Sequence, residues 1–253
     1  MAELTPGPAL VTGAGKRLGR AMAEALAARG WAVAVHYNRS ADAAEEVVRS
    51  ITAAGGTASA VGADLSVEAE TAALMPAACK ALGGPVTLLV NSASTFDDDT
   101  AAGHSRSQWD HHMEPNLRAP IHLAQAMANT LPAGSPALVV NMVDQRVRKP
   151  TPRFFTYSLS KAALWAATQT LAQALAPTIR VNAIAPGPTL RNVHQSEADF
   201  AAEQAATLTG EGSNPQEIVR ALLFFIDAQS VTGEMIACDG GQNLMWQTPD
   251  ALL

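Results

Sequence analysis

Tyr157 and Lys161 stand four residues apart in the run Tyr157-Ser158-Leu159-Ser160-Lys161. On a helix this spacing puts both side chains on one face. A phenol titrates near ~10, and a neighbouring ammonium favours its ionised form, so the pair is expected to pass a proton near neutral pH. A packed tyrosine beside a surface lysine is the plain alternative, and the spacing alone does not exclude it. A second feature upstream weighs against that alternative. The run Thr12-Gly13-Ala14-Gly15-Lys16-Arg17-Leu18-Gly19 follows a short apolar stretch and leads into a helical one. Glycines there let the backbone turn tightly against a pyrophosphate, and the helix start offers free N–H groups and the positive end of its dipole.

The next apolar run closes with His36-Tyr37-Asn38-Arg39-Ser40. It contains no Asp or Glu, the residue an NAD site uses on the ribose hydroxyls. Arg39 and Ser40 instead offer donors to a 2′-phosphate, and Arg17 is expected to join them from the glycine turn. Guanidinium suits bidentate phosphate recognition. Two solvated arginines are the alternative; the missing acid and the two cations together favour NADPH.

Elements that position these residues are legible in the periodicity. Strands are expected at Ala9–Thr12, Ala32–His36, Thr57–Gly62, Val86–Val90, Ala137–Met142, Ile179–Ile184 and Met235–Cys238. Most are continuous apolar runs, the pattern of strands covered on both faces. Helices are expected at Leu18–Arg29, Asp42–Ala54, Val67–Leu82, Asn116–Leu131, Tyr157–Leu175 and Pro215–Ile226, with Gly30 stopping the first and Ser40 and Ser66 as N-caps of the second and third. Strand-then-helix alternation implies an α/β fold: one Rossmann-type domain over residues 1–253, its doubly wound parallel sheet of about seven strands flanked by helices. Residues 188–214 are polar and lack periodicity; they read as a substrate loop at the carboxyl end of the sheet.

Composition narrows the function classes. A 48% hydrophobic chain has ample core. Its net charge of −6 provides no global positive field for nucleic acid. No run of 18 apolar residues suggests a membrane span, and no signal peptide is read at the N-terminus. Cys79 and Cys238 form no metal or redox motif, and a reducing, cytoplasmic setting is expected. The partner expected is a small-molecule substrate, with neither nucleic acid nor membrane.

Taken together, these landmarks resemble the short-chain dehydrogenase/reductase superfamily along essentially the full length. They are TGAGKRLG at 12–19, Asp64-Leu65, NSAS at 91–94, Asn116, YSLSK at 157–161 and RVNAIAPGPT at 180–189. The resemblance implies that Tyr157 donates the proton, that Lys161 grips the nicotinamide ribose and tunes Tyr157, and that Asn116 supports a relay water. It implies that Asp64 and Leu65 contact adenine, while Asn91, Ala93, Pro186, Gly187 and Thr189 line ribose and nicotinamide. Gly13, Lys16, Leu18, Gly19, Tyr37, Asn38 and Ser92 complete the expected cofactor contacts.

Two departures sharpen the resemblance. Arg17 stands at the usual middle glycine of the turn, and Asp144, thirteen residues before Tyr157, replaces the usual serine. With HYNRS at 36–40 and NMVD at 141–144, they resemble pteridine reductases and bacterial dihydromonapterin/dihydrofolate reductases. That resemblance implies that Phe96 stacks a pterin against the nicotinamide and that Ser94 contacts it. Chemistry supports the aspartate. A serine hydroxyl donates to a developing ketone oxyanion; an ionised carboxylate repels it. A C=N reduction develops charge on a ring nitrogen that Tyr157 protonates. A solvated turn aspartate is the alternative reading of Asp144.

Weaker features take plainer readings. Arg146, Arg148, Lys149 and Arg153 read as a solvated basic loop, with attraction of an anionic substrate tail the alternative. Asp97, Asp98 and Asp99 read as a solvated acidic run. His111 and His112 face different ways on a helix, so no metal site is expected. The helix at 157–175, apolar nearly all round, is expected to meet another subunit, and the resemblance implies a homotetramer; Trp246 reads as interface packing, with reach into a neighbour's pocket the alternative. The leading expectation is an NADPH-dependent reductase acting on a pterin, dihydropterin or folate. A general carbonyl reductase for 3-oxoacyl or sugar ketones, and a non-catalytic NADPH sensor, are the alternatives.

Overall fold

A computed structural model describes residues 3–192 and 195–247. Seven strands form one parallel sheet: β1 (Pro8–Val11), β2 (Ala32–Tyr37), β3 (Thr57–Gly62), β4 (Leu88–Asn91), β5 (Ala137–Met142), β6 (Ile179–Pro186) and β7 (Met235–Cys238). Their spatial order is β3-β2-β1-β4-β5-β6-β7, and every pair is parallel. This is the Rossmann-type architecture expected from the alternation. All residues of β4 and β5 are buried, as continuous apolar runs require.

The helices are α1 (Arg17–Ala28), α2 (Ala41–Ala53), α3 (Glu68–Leu82), α4 (Arg106–Met113), α5 (Ala119–Thr130), α6 (Phe155–Leu175), α7 (Glu197–Ala205) and α8 (Pro215–Asp227). They divide the core into two layers. Met22, Leu26, Val47, Leu222 and Phe225 pack on one face of the sheet; Leu74, Met75, Leu123, Met127 and Ala172 pack on the other. Strand order reverses between β1 and β4, which opens a crevice at the carboxyl ends of the strands.

Several sequence expectations are corrected. Ser66 does not cap α3: Val67 holds that position, and Ser66 bonds back to Asp64. Ser40 does sit at the N-cap of α2, but its side chain makes no capping bond. The expected loop at 188–214 contains α7, started by a reciprocal capping box between Ser196 and Asp199. Val193 and His194, within that loop, lie outside the described residues. Before α5, residues Glu114–Arg118 form a π turn where an α-helical start at Asn116 was expected, and the helix expected around His111 and His112 is α4. The outer face of α6 is not purely apolar: Gln169, Thr170 and Gln173 are exposed alongside Leu159, Ala162 and Ala166.

Candidate active site

The glycine turn is held by main chain. Thr12 Oγ accepts from Ser92 N at 2.9 Å and Ala93 N at 3.0 Å, fastening the end of β1 to the segment after β4. Gly13 lies in the left-handed region at φ 64°, and a Cβ there would meet Ala93 Cα at 2.9 Å. Gly19 packs so closely that a Cβ would lie 2.3 Å from Gly13 O. Gly13 N donates to Nδ1 of the buried His36 at 3.0 Å, and Nε2 of that ring donates to Ala63 O at 3.0 Å. Accepting at one nitrogen and donating at the other requires a neutral ring. Burial pushes the His36 pKa down to about 4. This histidine pins the turn, and sequence reasoning missed it; its one signal was a polar ring in an apolar strand.

No side chain caps α1, and its first turn carries no acidic residue. The free N–H groups and the Cβ-free approach at Gly13 and Gly19 fit a dinucleotide pyrophosphate. Exposed Arg39 and the uncapped Ser40 stand together at the end of β2. Close by, Asp64 Oδ1 accepts from Ser66 N at 2.9 Å and Ser66 Oγ at 2.6 Å, and these bonds hold its carboxyl below the usual range. Leu65 is buried beside it.

The Arg17 guanidinium, expected to join Arg39, is engaged by main chain. Arg17 is left-handed in its backbone, at φ 53°. Its guanidinium donates to Arg191 O at 2.7 Å and Leu190 O at 2.9 Å, joining the glycine turn to the segment after β6. In that segment Gly187 N donates to Cys238 O at 3.0 Å, and Thr189 Oγ donates to Gly187 O at 3.1 Å. A Cβ on Gly187 would stand 2.7 Å from Asp239 Cα. Asn91 donates to Asn141 Oδ1 at 2.8 Å, tying β4 to β5.

At the other side of the crevice, Tyr157 is buried and its hydroxyl donates to Asp144 Oδ2 at 2.8 Å. Asp144 also accepts from Arg146 N at 2.8 Å and from the Arg146 guanidinium at 3.1 Å. Arg146 and Asp144 therefore form a half-buried ion pair, which corrects the reading of Arg146 as solvated and removes the alternative of a solvated Asp144. Burial, then the Asp144 charge and hydrogen bond, push Tyr157 well above its ordinary value. The expected pull of the ammonium toward the ionised phenol is overcome by burial and the Asp144 carboxylate, and Tyr157 is held protonated. Lys161 is buried, donates to Met142 O at 2.8 Å and is pushed down to about 8 by burial.

The acidic run is also corrected. Phe154, the N-cap of α6, has no acceptor side chain, so the helix is capped from elsewhere. Asp98 accepts from Phe154 N and pairs with Arg153. Asp99 is buried and accepts from Thr156 N at 3.0 Å. Both carboxylates sit at the positive end of the helix that carries Tyr157. Phe96 stacks on Phe154 with centroids 4.4 Å apart and meets Tyr157 edge-on at 4.7 Å. One face expected for the substrate is therefore covered by Phe154. The Arg146 guanidinium lies 5.6 Å from the Phe96 ring and 5.3 Å from that of Phe154.

Asn116 sits in the π turn with its side chain fully engaged. It accepts from Thr95 N at 2.9 Å and donates to Thr95 O at 3.0 Å and Ser160 Oγ at 3.2 Å. It braces the segment after β4 against α6. Ser94 is exposed, with its hydroxyl donating to Thr95 O at 3.2 Å. Among the described residues no group of three His, Cys, Asp or Glu is placed to hold a metal, and no helix is long and apolar enough to cross a membrane.

The short chain dehydrogenase family model matches residues 8–201. The crystal structure of FolM alternative dihydrofolate reductase 1 from Brucella suis, in complex with NADP, is similar at TM-score 0.93 and 46% identity, covering 96% of this chain and 97% of that one. Pteridine reductase 1 of Leishmania tarentolae is 31% identical over 93% of this chain and 96% of its own. The angucycline C-6 ketoreductase LanV, with bound NADP, has a TM-score of 0.87 at 31% identity, covering 96% of this chain and 98% of that one.

Proposed function

We propose that this chain, which belongs to the short-chain dehydrogenase family and is an NADP-dependent oxidoreductase, reduces a C=N bond of a pterin or dihydropterin. The observation that carries this reading is Asp144, an acceptor-only carboxylate 2.8 Å from the Tyr157 hydroxyl where the family's serine would offer a donor. The similarity to a dihydrofolate reductase and a pteridine reductase supports the same choice.

The reduced cofactor supplies the hydride when bound. Tyr157, kept protonated by burial and by Asp144, supplies the proton to the ring nitrogen as negative charge develops there. Asp144 takes up N–H donors of the ring edge while orienting the phenol. Lys161, anchored on Met142 O, places its charge under the phenol and favours the phenolate left after transfer. Phe96, Phe154 and Arg146 form a flat aromatic and cationic wall suited to a fused heteroaromatic ring.

The test is kcat/KM for a 7,8-dihydropterin and for a small ketone, with NADPH, in wild type, Phe96→Ala and Asp144→Ser. Wild type is expected to prefer the dihydropterin. Phe96→Ala is expected to weaken its use roughly tenfold, since an aromatic pair adds about 0.5–1.5 kcal/mol beyond area burial. Asp144→Ser is expected to lower pterin reduction and leave ketone reduction equal or better. A wild-type preference for the ketone overturns the reading in favour of a carbonyl reductase.

A further inference from the structure

His112 lies near the end of α4 with no exposed surface, and both ring nitrogens are committed. Asp97 N–H donates to Nε2 at 3.1 Å, so Nε2 carries no proton. Nδ1 is then the protonated nitrogen, and it donates to Thr156 Oγ at 2.7 Å. The Thr156 hydroxyl in turn donates to Asp99 Oδ2, while Asp99 Oδ1 accepts from Thr156 N. The chain of donors runs one way, from the 95–99 segment through the imidazole to the cap of α6. Each partner adjoins a functional ring. Asp97 follows Phe96, and Thr156 precedes Tyr157, whose ring centroid lies 6.1 Å from that of His112.

A leucine would fill this volume without the cost of burying a polar ring. The directional bonds are what the histidine adds. We propose that His112 is a positioning residue that sets Phe96 and Tyr157 relative to each other through two separable hydrogen bonds. The bond to Asp97 N fixes the wall of the substrate pocket; the bond to Thr156 fixes the proton donor. The proposal rests on the functional reading only in placing Phe96 on the substrate side.

Two substitutions divide the bonds. In His112→Asn the amide nitrogen takes the place of Nδ1, keeping donation to Thr156 and losing the acceptor for Asp97 N. In His112→Gln the amide oxygen reaches the place of Nε2, keeping Asp97 and losing Thr156. A lost buried hydrogen bond is worth roughly tenfold. His112→Asn is therefore expected to raise KM about tenfold with little change in kcat, and His112→Gln to lower kcat about tenfold with little change in KM. Thr156→Val should reproduce the Gln variant, and Thr156→Ser should restore kcat. NADPH affinity by fluorescence titration should be the same in all four variants.

Kinetics are read on whichever of the dihydropterin and the small ketone wild type turns over. Failure on the pterin alone thus sinks the functional reading while the split is still measured on the ketone. Equal changes in kcat and KM in both His112 variants, or a parallel loss of NADPH affinity, overturn the proposal in favour of simple packing. If the His112 variants do not fold, the Thr156 pair decides: equal kcat in Thr156→Val and Thr156→Ser overturns it.

Discussion

The glycine turn at residues 12–19 and the catalytic corner formed by 95–99 and 144–161 face each other across one crevice, yet they are built from different materials. In the turn, shape comes from main chain. Its contacts are backbone N–H groups on Thr12 Oγ and His36 Nδ1, together with a Gly19 pressed onto Gly13 O. In the corner, side chains bind side chains: Asp144 with Arg146 and Tyr157, Asp98 with Arg153, Asp99 and His112 with Thr156, Asn116 with Ser160. A main-chain cradle tolerates many side chains but no added Cβ. A side-chain lattice keeps its backbone path under substitution and changes its chemistry. One half can therefore hold a constant cofactor while the other is adjusted to a substrate.

The largest expected effect falls in the corner. Tyr157→Phe removes the proposed proton donor and keeps the ring that packs on Phe96. Turnover is expected to fall on the order of 10²–10⁴, while NADPH affinity stays near wild type. A change of only a few-fold in single-turnover rate would show that the proton comes from elsewhere and that the corner is mere scaffolding.

Next comes the pH response of the turn. An unfolded histidine takes its proton near 6.5, while folded His36 takes it only at about 4. Between those values the unfolded chain holds more protons, so stability falls as pH falls through this window and is fully present above it. At about 1.4 kcal/mol per pH unit, the loss approaches ~3 kcal/mol. Urea unfolding between pH 7 and pH 4 should show this slope in wild type and a shallower one in His36→Asn. Identical slopes would remove His36 from the account of the turn.

Gly19→Ala sharpens the contrast more gently. The new Cβ meets a backbone oxygen, so main chain must move, at a cost of about 1–3 kcal/mol. NADPH should bind more weakly by that amount in calorimetry, with Tyr157 chemistry preserved in the NADPH-saturated enzyme. An unchanged dissociation constant would mean that the turn is softer than its contacts imply.

The smallest effect concerns a place where the cofactor half relies on charge. Wild type should bind NADPH more than tenfold tighter than NADH, a difference of ~1.4 kcal/mol or more. Arg39→Ala should erode most of it, because Arg17 is engaged by Leu190 O and Arg191 O. If Arg17→Ala erodes the preference and Arg39→Ala does not, the roles of the two arginines are exchanged.

Features that rest on period and on neighbours along the chain are readable before folding. Continuous apolar runs placed most of the seven parallel strands, because a strand covered on both faces has no polar side to show. The glycine turn was legible for a similar reason: strand, glycines and helix are consecutive, and each glycine has a local steric purpose. Spacing put Tyr157 and Lys161 together, since one helical turn joins them. What those groups are depends on contacts between residues distant along the chain. Asp99 reaches Thr156 across 57 residues, His112 reaches it across 44, and Arg17 reaches Arg191 across 174. No local pattern announces such pairs, so an acidic run read as solvated became a helix cap. The ionisation of Tyr157 belongs to the same class. Local spacing brought in a lysine that favours the phenolate, but burial and a carboxylate thirteen residues away hold the proton in place. Charge state follows from the dielectric and from every charge within reach, and both exist only once the chain has folded.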